Sequence, residues 1–254
     1  MRNVSTKTHL VFGLHSVQSL IHQSAQRILK LLIQEASNHP TLLKLADEAK
    51  AQHIAVEYVS RQTLDRESHE KNHQGVIAYT KPVIARSAYD LTVWLDELAK
   101  PPFLLILDSV EDPHNLGACF RVADGAGVDA IIVPKHHAVG ITGTVSKVAS
   151  GAVETVPFFQ VTNLVHVIDD LKERGIWIYG ASTHEGESID QVKFTDRVAI
   201  VLGGESKGLR RLTREHCDVL IHIPMHGIVS SLNVSVAAGI ILFTVSQKRK
   251  GMSV

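Results

Sequence analysis

The sequence predicts a two-domain α/β protein whose larger, C-terminal domain is built on a parallel sheet. Three observations carry this. From residue 103 onward short apolar runs alternate with amphipathic stretches, the order expected of strand and helix in a parallel sheet. The runs Val198 to Leu202 and Val219 to Met225 are continuous rather than alternating, as in strands buried on both faces. Each then enters a loop of small and polar residues, Gly203-Gly204-Glu205-Ser206-Lys207-Gly208 and His226 to Asn233, and open α/β sheets place their sites beyond such strand ends.

Taken in order, residues 9 to 12 are a short apolar stretch, and Gly13-Leu14-His15-Ser16 is a turn and cap opening a helix through about His22. Arg27 to Gln34 fits a strand or a helix. Thr41 to Ala51 has the helical period through Leu42, Leu43, Leu45, Ala46 and Ala49, Ile54 to Val59 alternates as a strand, and Gly75 to Tyr79 reads as a closing strand. Residues 1–79 therefore form a small α/β domain. Lys81-Pro82 breaks the pattern, so residues 80–86 are the linker and 87–254 the second domain. Ser87 to Lys100 reads as a helix. The expected strands of the second domain are Phe103 to Leu107, Ala130 to Val133, Ile176 to Tyr179, Val198 to Leu202 and Val219 to Ile223. The expected helices lie near 115–124, 163–174, 207–216 and 231–248.

Composition narrows the function. The 254 residues are 44% hydrophobic and 20% charged, which gives a globular chain with ample core. No signal-peptide pattern or membrane-length apolar run is present, so the cytoplasm is the expected compartment. Lys and Arg number 26 against 26 Asp and Glu, so no global basic field coats nucleic acid, and any RNA contact is local. Lys207, Arg210, Arg211 and Arg214 have helical spacing just after the Gly203 loop and are the candidate RNA face; the alternative is a solvated helix face. Cys119 and Cys217, both in apolar helical patterns, fit reduced core residues.

Some familiar motifs fail. No Gly-x-Gly-x-x-Gly follows the first strand, and the Gly203 loop lacks the Gly-Lys-Ser/Thr ending of a phosphate loop. His69-Glu70-Lys71-Asn72-His73 matches the zinc-protease pattern, but its polar flanks and Gly75 favour an exposed loop. Asp108, Glu111 and Asp112 form one acidic cluster, weak evidence for magnesium beside a Pro113 that suits a helix start, and no metal is expected.

Three other stretches stand out: Asp112-Pro113-His114-Asn115-Leu116-Gly117-Ala118 followed by Arg121; Gly203-Gly204-Glu205, with Ile223-Pro224-Met225 after the next strand; and Ser230-Ser231-Leu232-Asn233-Val234-Ser235 opening the last helix. In this order they resemble the motifs of the SpoU (TrmH-type) RNA ribose 2′-O-methyltransferases, and most closely the bacterial 23S ribosomal-RNA guanosine enzymes. The resemblance implies a SPOUT domain whose C-terminal helix is threaded as a deep trefoil knot, a topology that periodicity does not show. It implies that the leading domain is L30-like and presents RNA, that S-adenosylmethionine is the methyl donor, and that the chain is a homodimer acting on ribosomal RNA. Rival readings are a transfer-RNA methyltransferase of the same family and a noncatalytic ribosome-assembly factor.

The resemblance also assigns residues. Gly203, Ile223, Leu232 and Met225 fall to the cofactor, with the Ala181 to Thr183 stretch, and Thr183 in it, as a further wall; read without it, Ile223 and Leu232 are core residues. Asn115, Arg121, Glu205, Ser231 and Asn233 fall to catalysis. Asn115 orients a hydroxyl or phosphate, or else caps a helix. Arg121 is the catalytic group, as base or as a cation stabilising the forming alkoxide, since guanidinium hardly deprotonates; the plain alternative is a surface arginine. Glu205 anchors Arg121 or substrate, or caps the following helix. Ser231 and Asn233 are otherwise helix-start caps. The final helix, Val234 to Val245, is apolar around most of its circumference, so burial on more than one side is expected.

Overall fold

The expected apolar runs form two separate sheets, and the computed structural model describes them over residues 8–37, 39–69, 72–204 and 208–250. Contacts divide the chain into two units, one running to Ile84 with Ile141–Thr155 added, the other made of Ala85–Gly140 and the chain from Val156.

The first unit contains β1 (His9–Phe12), α1 (Leu14–Ser24), β2 (Ile28–Gln34), α2 (Pro40–Ala51), β3 (Val56–Val59), α3 (Arg61–Glu67) and β4 (Val76–Thr80). Its sheet has the order β1-β4-β2-β3, with β4 antiparallel to β1 and β2 and β3 parallel to β2. Arg27 to Gln34, open between strand and helix, is a strand because its residues divide by alternation: Leu31 and Ile33 enter the core with the α1 and α2 residues, and Leu32 joins Phe12, Leu64 and Ile77 in another cluster. The loop around His73 is less exposed than its polarity suggested. His73 is buried, its Nε2 bonded to Asp65 Oδ1 at 2.9 Å and its Nδ1 accepting the Gly75 N–H at 2.9 Å. Accepting a backbone N–H fixes the proton on Nε2, so a satisfied neutral imidazole accounts for burial of a residue that looks loop-like. Glu70 and Lys71 of that motif lie outside the described residues.

The second unit begins with α4 (Ala88–Glu97), opened by a reciprocal Ser87–Asp90 capping box, then β5 (Phe103–Asp108), α5 (Pro113–Ala126) and β6 (Ala130–Pro134). Next come α6 (Gly143–Val148) and α7 (Ala152–Thr155), whose segment belongs to the first unit, where α6 packs on β1, α7 packs on α1, and Arg27 pairs with Glu154. The second unit resumes with β7 (Phe158–Val161), α8 (Leu164–Glu173), β8 (Trp177–Ala181), β9 (Glu187–Ser188), β10 (Val198–Gly203), α9 (Arg211–Glu215), β11 (Val219–His222) and α10 (Val234–Lys250). Its seven strands are ordered β7-β6-β5-β10-β8-β11-β9 with every pairing parallel.

The five expected strands of this sheet are present, and two edge strands that sequence did not show, β7 and β9, are added. Four and two residues are too short for a legible period. α4 and α8 contribute Leu91, Leu164, Ile168 and Leu171 to the core that includes Ile106, Ile132, Ile178 and Val201, while α10 packs on α5. Two helix boundaries need correction. The helix expected over 207–216 is the shorter α9, because Arg210 is extended (φ −61°, ψ 147°) and bound to a carboxylate. The helix expected from residue 231 starts at Val234, where the Asn233 side chain accepts from Ser235 N at 2.9 Å. Cys217 lies between α9 and β11 and not in a helix; burial pushes its thiol, and that of Cys119, up to about 12.

Candidate active site

A cavity of about 410 Å³ opens at the carboxyl ends of β8 and β10, beside the start of α10. That volume lies in the range of small-molecule sites, and strand carboxyl ends are where parallel sheets place them. Ala181, Ser182 and Thr183 line one side; Leu202, Gly203 and Gly204 another; Ile223, Met225 and Ser230 to Leu232 a third; Val234, Ala237 and Ile241 come from α10. All five residues expected at a cofactor, Gly203, Ile223, Leu232, Met225 and Thr183, therefore meet in one cavity, with Ser231 of the expected catalytic set.

Glycine is required where β10 ends. A Cβ on Gly204 would stand 2.3 Å from the Ser109 carbonyl oxygen, and one on Gly203 would stand 2.0 Å from the Gly208 carbonyl carbon. Ser109, just past β5, is itself left-handed (φ 68°), so two strand ends are forced together where backbone borders the cavity. Asp108 beneath them is fully buried and accepts Arg210 Nε at 2.6 Å and Arg210 N at 3.1 Å. This pair closes the β10–α9 loop onto β5. Among the described residues no cluster of three or more His, Cys, Asp or Glu side chains could hold a metal ion, and no helix is long and apolar enough to cross a membrane.

Motif one contributes through α5. Asp112 is its N-cap, accepting His114 N at 2.9 Å, and that bond holds the Asp112 carboxyl below its ordinary pKa. Asn115 is thus released from a capping role. It is buried, and its Oδ1 accepts Asn233 Nδ2 at 3.0 Å, which ties α5 to the start of α10. Arg121 is exposed, and its guanidinium has no hydrogen-bond or ion-pair partner among the described residues. Glu205 and Lys207 lie outside the described residues.

The basic residues expected on one RNA-facing helix are dispersed. Arg210 is spent on Asp108, Arg211 pairs with Glu215 one turn on at 2.9 Å, and Arg214 pairs with Glu185 while lining the cavity. Sequence reading missed several lining residues. Val234, Ala237 and Ile241 form one stripe of α10, a helical spacing that was available in the sequence. Ser182 fell within the expected wall, whereas Leu209 and Arg214 are brought in by tertiary structure alone.

A parallel α/β sheet with a glycine-walled cavity of mixed apolar and hydroxyl lining at its strand ends is the arrangement of a small-molecule-binding α/β enzyme. The SpoU rRNA Methylase family matches residues 102–243, and the RNA 2′-O ribose methyltransferase substrate-binding family matches residues 10–84. The chain belongs to the SpoU rRNA methylase family. It is 46% identical over 96% of its length, and 100% of the relative, to a 23S rRNA (guanosine-2′-O-)-methyltransferase of Pectobacterium atrosepticum. A crystal structure of an RNA 2′-O ribose methyltransferase superposes with TM-score 0.78 at 26% identity, covering 97% of this chain and 90% of that one. The SpoU methyltransferase AviRb of Streptomyces viridochromogenes, crystallised with AdoMet, shares the fold with TM-score 0.79 at 21% identity, covering 99% and 95%.

Proposed function

We propose that this chain methylates the ribose 2′-hydroxyl of a guanosine in 23S ribosomal RNA, with S-adenosylmethionine as methyl donor. The observation that carries the reading is the convergence of Gly203, Ile223, Leu232, Met225 and Thr183 on one cavity beside the Asn115–Asn233 link. The donor, when bound, supplies an electrophilic methyl carbon on a sulfonium. The apolar walls of Leu202, Ile223 and Leu232 suit an adenine ring, and the hydroxyls of Ser182, Thr183 and Ser231 suit its ribose. On the methyl carbon the ribose oxygen would displace the sulfonium sulfur, giving a 2′-O-methyl ribose and S-adenosylhomocysteine, with the hydroxyl proton passing to Arg121 or to water.

Alignment and charge do most of the work in such a displacement. Asn115 and Asn233 orient the acceptor. Arg121, exposed and without a described partner, either takes the proton as a neutral guanidine or stays a cation and balances the alkoxide. Glu205 and Ser231 complete the catalytic set. The unit formed largely by residues 1–84 presents RNA, with residues 80–86 as the linker; the substrate-binding family match over 10–84 supports this. Most basic side chains among the described residues there are paired, as in Lys30–Glu57 and Arg61–Asp65, which favours recognition by shape and neutral polar groups over a basic field.

Methyl transfer from a sulfonium needs no Lewis acid, and activity should survive chelation. A homodimer is supported by Val236, Ile240 and Phe243, which keep 50%, 39% and 47% exposure along one stripe of α10. Threading of the C-terminus as a trefoil knot is supported by its last turn. Lys248 Nζ donates to the carbonyls of Ile189, Asp190 and Val192, and Arg249 donates to those of Pro101 and Asp196. A crystal structure in which this segment passes through no loop would overturn the knot. A ribosomal-RNA substrate places the enzyme in the cytoplasm.

The test is methyl transfer by the purified chain to 23S ribosomal RNA and to transfer RNA, with the modified nucleotide mapped by mass spectrometry. One 2′-O-methylguanosine in 23S RNA is expected. Methylation of transfer RNA alone, or of neither, would refute the assignment.

A further inference from the structure

We propose that Arg214 and Glu185 form a preassembled receptor for the amino-acid tail of the cofactor, the guanidinium taking its carboxylate and Glu185 its ammonium. The proposal rests on the cavity being the S-adenosylmethionine site. That ligand joins an adenosine, which apolar walls and backbone can hold, to a zwitterion, which they cannot. Among the described lining residues Arg214 is the one Lys, Arg, Asp or Glu. Apart from the imidazole of His184, a carboxylate entering this cavity has no other basic side chain to meet within its described wall.

Arg214 is not isolated there. Its guanidinium pairs with Glu185, on the turn between β8 and β9, and the two side chains are 42% and 54% exposed. The turn is fixed in place. Glu185 N donates to Ser182 Oγ at 3.3 Å, and Gly186 is left-handed (φ 88°) against β11, where an added Cβ would meet the Leu220 carbonyl oxygen at 2.0 Å. An anion and a cation are thus held opposite each other at the edge of the cavity by a rigid turn and a short helix. A solvent-exposed ion pair contributes little by itself, so exchanging each partner for the complementary end of a zwitterion sacrifices little. Guanidinium to carboxylate is also the pairing with the best geometric match among charged hydrogen bonds. Arg210 and Arg211, bound to Asp108 and Glu215, are committed elsewhere, which separates Arg214 from the basic run in which sequence places it.

Calorimetry on the full chain with two probes tests this: S-adenosylhomocysteine, which keeps the zwitterion, and 5′-methylthioadenosine, which lacks it. Arg214→Ala should weaken S-adenosylhomocysteine binding by about 10- to 100-fold, the range for a lost charged hydrogen bond, and leave 5′-methylthioadenosine binding unchanged. Arg214→Lys should restore part of the loss. Glu185→Gln should weaken only the zwitterionic probe, and by less. Equal weakening of both probes by Arg214→Ala would make Arg214 a mere wall and overturn the proposal. So would unchanged binding of both with a raised KM for RNA, which would turn Arg214 toward phosphates. Failure of the unaltered chain to bind either probe would instead refute the cofactor cavity on which the proposal stands.

Discussion

The cavity at the ends of β8 and β10 and the α5 flank linked to it by Asn115 and Asn233 are built differently. Cavity residues come from strand ends, loops, α9 and one stripe of α10 in a single chain, and they enclose a concave volume with backbone, apolar and hydroxyl groups. On the α5 flank the motif residues are spread out: Asn115 is buried, Asn233 is bonded to it, and Arg121 stands exposed. The difference separates two tasks. In the proposed reading a small cofactor is gripped by a surface finished within one fold, whereas the proposed acceptor site is left open to RNA and to the proposed second subunit.

The strongest way to break this contrast is Arg121→Ala. If Arg121 belongs to the acceptor side alone, single-turnover methylation should fall at least about a hundredfold, the lower range for loss of an acid–base or charge-stabilising group. Calorimetry should show cofactor affinity unchanged. Arg121→Lys separates the roles, because lysine keeps the charge and loses the planar fork. Substantial rescue means charge suffices; little rescue means geometry or proton transfer matters. A wild-type single-turnover rate in the alanine variant would return Arg121 to a surface arginine.

Phe243→Asp sharpens the contrast from the side of the proposed second subunit. Phe243 is half-exposed on α10 and lies beside α5, where a Cβ added to Gly125 would stand 3.5 Å from its ring. A carboxylate in that apolar stripe should dissociate a dimer, read by sedimentation, and lower methylation by about tenfold or more through desolvation of an unpaired charge. Cofactor binding should persist in the monomer. A monomeric unaltered chain would show that the acceptor site is complete without a partner, and a variant that stays dimeric would remove Phe243 from the interface.

How much of this was legible follows the same division. The cofactor loops were readable because backbone approach demands glycine and strand ends demand small residues, constraints that leave their mark at Gly203 and Gly204. The five main strands were readable because buried parallel strands are continuous apolar runs. β7, β9 and the α6–α7 segment were not, since elements of two to six residues show no legible period. Arg214 with Glu185, and Lys248 with three carbonyls of the 189–192 stretch, were also hidden. In sequence each is an ordinary surface charge, and only tertiary contact gives it a partner. Asn115 was found as an orienting residue with a helix cap as its alternative, and Asp112 performs the capping.

The smallest effect expected concerns the joint between the two regions. Asn233 Nδ2 donates to Asn115 Oδ1 at 3.0 Å, while Asn233 Oδ1 accepts Ser235 N at 2.9 Å and Ser235 Oγ at 2.7 Å. One amide therefore both caps α10 and fixes where α5 stands relative to Ser231 and Leu232, which line the cavity. Asn233→Ala should cost about 1 kcal/mol of stability through the lost cap alone, so melting temperature cannot isolate the link. A double-mutant cycle with Asn115→Ala can, because the cap term cancels. If the joint couples acceptor side to cofactor side, single-turnover rates should show a coupling of about 1 kcal/mol, roughly fivefold, the worth of one intramolecular hydrogen bond. Cofactor affinity should show less coupling than rate, since Asn115 does not line the cavity. Strictly additive rates would mean that the bond only packs α5 against α10, and that the acceptor side is positioned by RNA without help from the cofactor loops.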